Sequence, residues 1–144
     1  MLITNVMKVG FTGNRDGMTE EQRKTVKHLL SIRPVELHHG DCIGCDAFAH
    51  TIATDLRIPI IGHPPDLPGQ RMFLHYAEER EEKPYLERNH DIVDETNILI
   101  ACPNKAEANA MRSGTWATVR YARKVGKPII VVYPSGRMFF DQAR

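Results

Sequence analysis

The chain has 144 residues, 42% of them hydrophobic and 26% charged, with 9 Pro, 10 Gly and 3 Cys. A chain of about 150 residues buries roughly two thirds of its extended surface, so one domain spanning 1–144 is expected, and collagen-like, low-complexity and disordered classes are excluded. Lys and Arg number 19 against 18 Asp and Glu, a net charge of +1 that supplies no global field for gathering polyanions. Nucleic acid is therefore not an expected partner.

The longest aliphatic stretch, Ile129 to Val132, lies between Pro128 and Pro134 and is far short of a membrane span. Met1 to Phe11 has no basic region followed by a cleavable apolar core. Three cysteines without a paired framework suit a reducing compartment, so a cytoplasmic protein without membrane contact is expected.

Apolar, β-branched runs recur at Val6 to Phe11, Val35 to Leu37, Ile58 to Ile61, Ile98 to Ala101 and Ile129 to Tyr133. Continuous runs without polar alternation are how parallel strands covered on both faces read. Between the first two, Thr19-Glu20-Glu21-Gln22 has the form of a capping box, and Val26, Leu29 and Leu30 follow at helical spacing. Ile43, Ala47, Phe48, Thr51, Ile52 and Leu56 predict a second helix with these residues on its apolar face. His63-Pro-Pro-Asp-Leu-Pro-Gly69 opens a Pro-rich segment, about 63–84, that includes the acidic Glu78 to Glu82. Prolines restrict the backbone, so this segment is expected to form an ordered flap over the sheet edge. Pro84 suits the first turn of a third helix with Leu86, Ile92 and Val93 buried. Trp116, Val119 and Ala122 mark a fourth, stopped by Gly126 and Pro128. Strands alternating with helices predict an α/β fold, a doubly wound parallel sheet with strand order 3-2-1-4-5. The tail, 135–144, carries Phe139 and Phe140 and forms an added hairpin, a dimer contact or a fold-back onto the core.

In an open parallel sheet, ligands bind beyond the carboxyl ends of the strands, near the point where strand order reverses. Polar and glycine residues fall at those ends. Thr12-Gly13-Asn14-Arg15-Asp16-Gly17 follows the first run, His39-Gly40-Asp41 the second, His63 the third and Cys102-Pro103 the fourth. Arg112-Ser113-Gly114-Thr115 opens the last helix. Gly13 and Gly114 let the backbone approach a ligand closely, and free amides at a helix start suit a phosphate. Arg15, Arg88 and Arg112 are candidate anion ligands, because guanidinium offers forked donors. Any one of these motifs reads equally as a simple turn. Together they predict a phosphate-bearing ligand, since independent turns need not gather at one edge.

Cys42-x-x-Cys45 supplies two of the four ligands a zinc site needs, with His38, His39 and His50 near in sequence. Both cysteines fall where small residues suffice for packing, so they read as loop or core residues, and neither a metal nor a resident cofactor is expected. Cys102 closes a strand, Ser113 has no evident base beside it, and Trp116 reads as core.

Thr12 to Asp16 (TGNRD), His39 to Ala49 (HGDCIGCDAFA), Arg88-Asn89 and Arg112 to Ala122 (RSGTWATVRYA) resemble the SLOG superfamily over roughly Lys8 to Tyr133. That group includes nucleotide-sensing proteins, the DNA-processing protein A family, and the cytokinin-activating phosphoribohydrolases once labelled lysine decarboxylases. The resemblance implies a Rossmann-like fold and a nucleotide-type ligand held over Gly13, Gly40, Asp46 and Ser113 to Thr115, with Arg88 and Asn89 beside it. Asp46 takes the acidic position of a G-x-x-x-G-x-D pattern beginning at Gly40. A carboxylate there accepts hydrogen bonds from ribose hydroxyls or from loop amides, or merely stabilises a helix dipole.

The chain departs from the phosphoribohydrolase pattern at one point. Arg88 matches that group's helix arginine, and Gly114-Thr115 match the G-T of its G-G-x-G-T-x-x-E motif, but Ala117 and Thr118 stand where an acid is required. General acid–base help contributes a factor of about 10² to 10⁴, and neither residue supplies it. The sequence therefore reads as a binder, a sensor or sequestering protein, with an N-glycosidase using Asp41, Asp46 or Glu107 as the alternative. The third reading, single-stranded DNA binding, follows the likeness to DNA-processing protein A at Arg88-Asn89 and would use a patch of Arg71, Lys83 and Arg123. An aromatic fraction of 7% offers it few stacking platforms. Related proteins pair through helices flanking the ligand edge, so a homodimer or higher oligomer is expected.

Overall fold

In the structure, a computed structural model that describes residues 3–110 and 113–141, the five apolar runs become parallel strands. They are β1 (Lys8–Gly13), β2 (Glu36–His39), β3 (Ile60–Gly62), β5 (Ile98–Cys102) and β6 (Ile129–Val132). Two short strands extend the sheet, β4 (Glu78–Glu79) parallel to β3 and β7 (Met138–Asp141) antiparallel to β6. The full order is β4-β3-β2-β1-β5-β6-β7. For the five predicted strands this is the expected 3-2-1-4-5, and it reverses at β1, which lies between β2 and β5.

Four helices cover the two faces: α1 (Glu20–Leu30), α2 (Cys45–Asp55), α3 (Tyr85–Asp94) and α4 (Gly114–Lys124). Alternation along the central strands divides their side chains between two cores. Ile98, Ile100 and Cys102 of β5 join Val26 and Leu30 of α1 and Ala49 and Ala53 of α2. Leu99 and Ala101 join Ile92 and Val93 of α3 and Trp116, Val119 and Ala122 of α4. Among the described residues, no helix is long and apolar enough to cross a membrane.

The capping box of α1 is formed, with Thr19 Oγ1 accepting from Gln22 N and Thr19 N donating to Gln22 Oε1, both at 3.0 Å. Gln22 Nε2 is buried and donates to the carbonyls of Pro103 and Val132, at 2.9 and 3.0 Å. Two helix faces differ from expectation. In α2 the buried stripe is Cys45, Asp46, Ala49 and Ala53, while Ile43 and Phe48 are exposed. Small residues are needed there because α2 lies so close to β1 that Gly13 abuts Cys45. In α3, Leu86 is exposed, and Arg88 and Asn89 share the inward face with Ile92 and Val93. The core reaches only the second half of that helix, and Pro84 is its N-cap.

The Pro-rich segment is pinned by Asp41, whose backbone takes a positive φ of 55°. Its buried carboxylate accepts from Arg71 Nε at 2.8 Å, from the amides of Phe73 and Leu74 at 3.3 Å, and from the Tyr76 hydroxyl. Arg71 also pairs with Glu79 and Glu82. The tail forms the hairpin expected as one of its arrangements: Tyr133 N donates to Arg137 O at 2.9 Å and β7 follows.

Candidate functional site

The carboxyl ends of β1 and β2, the first half of α3 and the N-terminus of α4 enclose a crevice. Its inner part is a cavity of about 40 Å³ walled by Thr12, Gly13, Gly40, Asp46, Arg88, Asn89 and Thr115. An outer space of about 370 Å³, lined by Asn14, Asp16, Asn104 and Ser113, shares Gly13, Arg15, Tyr85, Gly114 and Thr115 with it.

Arg88 forms the floor. It is 3% exposed and enters no ion pair among the described residues. Nη1 donates to the carbonyls of Gly40 and, at 3.1 Å, His63, so one guanidinium joins the ends of β2 and β3. Nη2 lies 3.0 Å from Cys42 Sγ. Nε is buried with no acceptor among the described residues. A charged donor left in that state costs free energy that an incoming acceptor would recover. The Tyr85 ring stacks with the guanidinium, 5.2 Å from centroid to Cζ. Its hydroxyl end rests on Gly114, where a Cβ would lie 2.8 Å from Tyr85 Cζ.

Asp46 sits in the first turn of α2, whose N-cap Gly44 has φ 100°. Its Oδ2 accepts from the amides of Gly40 and Cys42, each at 3.1 Å, which realises the loop-amide role. Burial pushes its pKa up to about 6, against the opposing pull of Arg88 and the two amides. Burial and the nearby Asp46 charge also raise all three thiols, Cys45 to about 12. The C-x-x-C pair therefore presents no thiolate at neutral pH.

Thr12, Gly13, Arg15, Gly40, Asp46, Arg88, Asn89, Gly114 and Thr115 meet at the inner cavity, and Asn14 and Ser113 at the outer one. Ser113 also caps α4, accepting from Trp116 N at 3.2 Å. Asn14 ties β1 to β5 through Nδ2 to Cys102 O, at 3.1 Å. Asp41, His63 and Pro103 line neither cavity. The Asp41 carboxylate is consumed by the flap and the Pro103 carbonyl by Gln22, and His63 Nε2 faces His38 Nδ1. His63 contributes only its carbonyl, through Arg88. Arg112 lies outside the described residues. Tyr85 was missed, although an aromatic three residues before Arg88 shares its helix face.

Of the acids considered for cleavage, Asp46 alone lines the crevice; Glu107 pairs with Arg120 and Arg123. Thr118 Oγ1 is spent on Gly114 O at 2.9 Å. The three cations of the basic patch are each ion-paired: Arg71 with Asp41, Lys83 with Asp91 and Arg123 with Asp141.

No protein-family model matches this sequence, nor does any curated protein sequence. Solved structures similar in fold include the following two. One is the molybdenum cofactor binding protein from the phototrophic bacterium Rippkaea orientalis, with a TM-score of 0.70 and 20% identity over 89% of this chain and 77% of that chain. The other is TM1055, a structural genomics target, with a TM-score of 0.63 and 16% identity over 85% of this chain and 71% of that chain. Together with the strand order, these likenesses show a Rossmann-like α/β fold.

Proposed function

We propose that the crevice binds a phosphate-bearing nucleotide or nucleotide-derived metabolite, and that the protein acts as a sensor or sequestering protein of the SLOG type. The observation that carries this reading is the Nε of the buried Arg88, unpartnered among the described residues, in a cavity that the start of α4 also lines. An anionic oxygen there gains a fixed guanidinium and helix-terminal donors in one place. The outer space, about 370 Å³, falls within the range of small-molecule sites. The Rippkaea orientalis neighbour is named for binding the molybdenum cofactor, which makes that cofactor the second ligand to try.

Thermal denaturation against mono-, di-, cyclic and dinucleotides and the molybdenum cofactor tests the reading. A ligand at 100 times its Kd stabilises the native state by about 2.7 kcal/mol. Gly114→Val, which drives a side chain into Tyr85, should abolish the shift. No shift with any member of the panel overturns the proposal. Enzyme-dependent release of free base from a nucleoside monophosphate, lost in Asp46→Asn, would establish the N-glycosidase instead.

A further inference from the structure

Behind the crevice, on the α3 face of the sheet, lies a cluster the ligand site does not use. His38 of β2, His63 at the end of β3 and Glu95 at the C-cap of α3 place one ligand atom each within 4.8 Å of one another. His38 Nδ1 faces His63 Nε2 at 2.8 Å, and Glu95 Oε1 is 3.9 Å from both. We propose that these three residues bind one divalent transition-metal ion of the zinc type.

Two features favour an ion there. His38 Nε2 is held by Glu36 Oε1 at 2.9 Å. A carboxylate on the far nitrogen is the usual support of a metal-binding imidazole, because it fixes the tautomer that leaves Nδ1 with its lone pair. The site also lies at the C-terminal end of α3, where the helix dipole favours a cation.

Tetrahedral ligands about 2.05 Å from zinc stand about 3.3 Å apart. The two nitrogens must therefore separate by about half an ångström, and Glu95 must close by a similar amount. His63 must carry its proton on Nδ1. That atom is buried without a partner among the described residues, so the change of tautomer releases no net proton, but it gives up the hydrogen bond from His63 Nε2 to His38 Nδ1, which the bonds to the ion replace. Arg80 competes for the same carboxylate oxygen, at 2.9 Å. Two imidazoles, one carboxylate and one water make a four-coordinate site. The two cysteines of the C-x-x-C motif take no part.

Glu95 and Arg80 are 34% and 36% exposed, so Glu95→Gln and Arg80→Gln leave the fold in place. Chelator-treated protein would be titrated with Zn²⁺ by calorimetry and with Co²⁺ by absorption. Expected are one ion per chain, weakening of about tenfold or more in Glu95→Gln, and tighter binding in Arg80→Gln. The Co²⁺ spectrum should show d–d bands without thiolate charge transfer. Absence of stoichiometric binding, an affinity indifferent to Glu95→Gln, or a thiolate band would each overturn the proposal.

Discussion

The guanidinium of Arg88 lies directly on Gly40: a Cβ built on that glycine would stand 2.7 Å from the guanidinium carbon. Backbone and side chain have been fitted to each other across 48 residues of sequence. Gly40→Ala should therefore displace Arg88 from both of its carbonyls. Urea denaturation is expected to show a loss of about 1–3 kcal/mol, the range for overpacking, and ligand-induced stabilisation should fall with it. Unchanged stability would mean that Arg88 is free to move.

Removing the arginine itself has two separable effects. Arg88→Ala leaves the carbonyls of Gly40 and His63 without their donor, at a cost of about 1–3 kcal/mol in folding. It should also weaken an anionic ligand by about 2–5 kcal/mol, as expected for the loss of a desolvated charge partner. Arg88→Lys keeps the charge without the planar fork and should recover only part of each. Calorimetric affinity and denaturation midpoints, measured on both variants, separate the two effects. An Arg88→Ala protein that binds normally would transfer the anion contact to Arg15.

Acid should destabilise the protein in the range where histidines titrate. Burial lowers the pKa of His38, His39, His50 and His63, the last to about 3. Unfolded chains take up these protons near pH 6.5, whereas the folded state does so only at lower pH. Stability from these groups is therefore full above pH 6.5 and declines as pH falls toward 3. Each proton so withheld contributes a slope of about 1.4 kcal/mol per pH unit. Asp46 acts oppositely over pH 3.8 to 6, because its folded pKa is raised. Four lowered histidines outnumber it, so the net direction is loss in acid. Denaturation midpoints for the wild type and His63→Asn between pH 4.5 and 7.5 should show a shallower decline in the variant.

At the other edge of the sheet, the outward side of β7 pairs with no strand among the described residues. Phe139 and Phe140 there are 51% and 38% exposed. Open backbone donors and acceptors beside exposed phenylalanines form a template for a second copy. We propose a dimer that continues the sheet through β7. Light scattering should give twice the mass of one chain, and Phe139→Asp should return it to one. A monomeric wild type at micromolar concentration would sink this assembly.

The parallel, doubly covered central strands were legible in the sequence because five uninterrupted apolar runs require cover on both faces. The glycine and polar residues that follow them locate the crevice for the same reason: strand ends in a parallel sheet converge. What could not be read was direction. Asp41 and Asp46 are the same residue type five residues apart, yet one faces the flap and the other the crevice, a choice made by the positive φ at Asp41 and the glycine that starts α2. Leu86 and Phe48 have helical spacing but no core opposite them, a fact of tertiary placement. The pairing of His38 with His63 and Glu95 joins positions far apart in sequence, where a search for C-x-x-C spacing does not look.

Asp41 follows Gly40 directly, so the clasp of the flap and the seat of Arg88 are adjacent links of one chain. A break in the clasp frees the backbone that Arg88 holds, and a displaced Arg88 loosens the backbone that carries the clasp. Hydrogen exchange at the amides of Phe73 and Leu74, which the Asp41 carboxylate accepts, should then slow when the crevice is filled, although neither residue lines it. The protection factor of these two amides should then report occupancy from a distance, and the reciprocity of linkage requires that the ligand bind the open-flap form more weakly by the same free energy with which it stabilises the closed one.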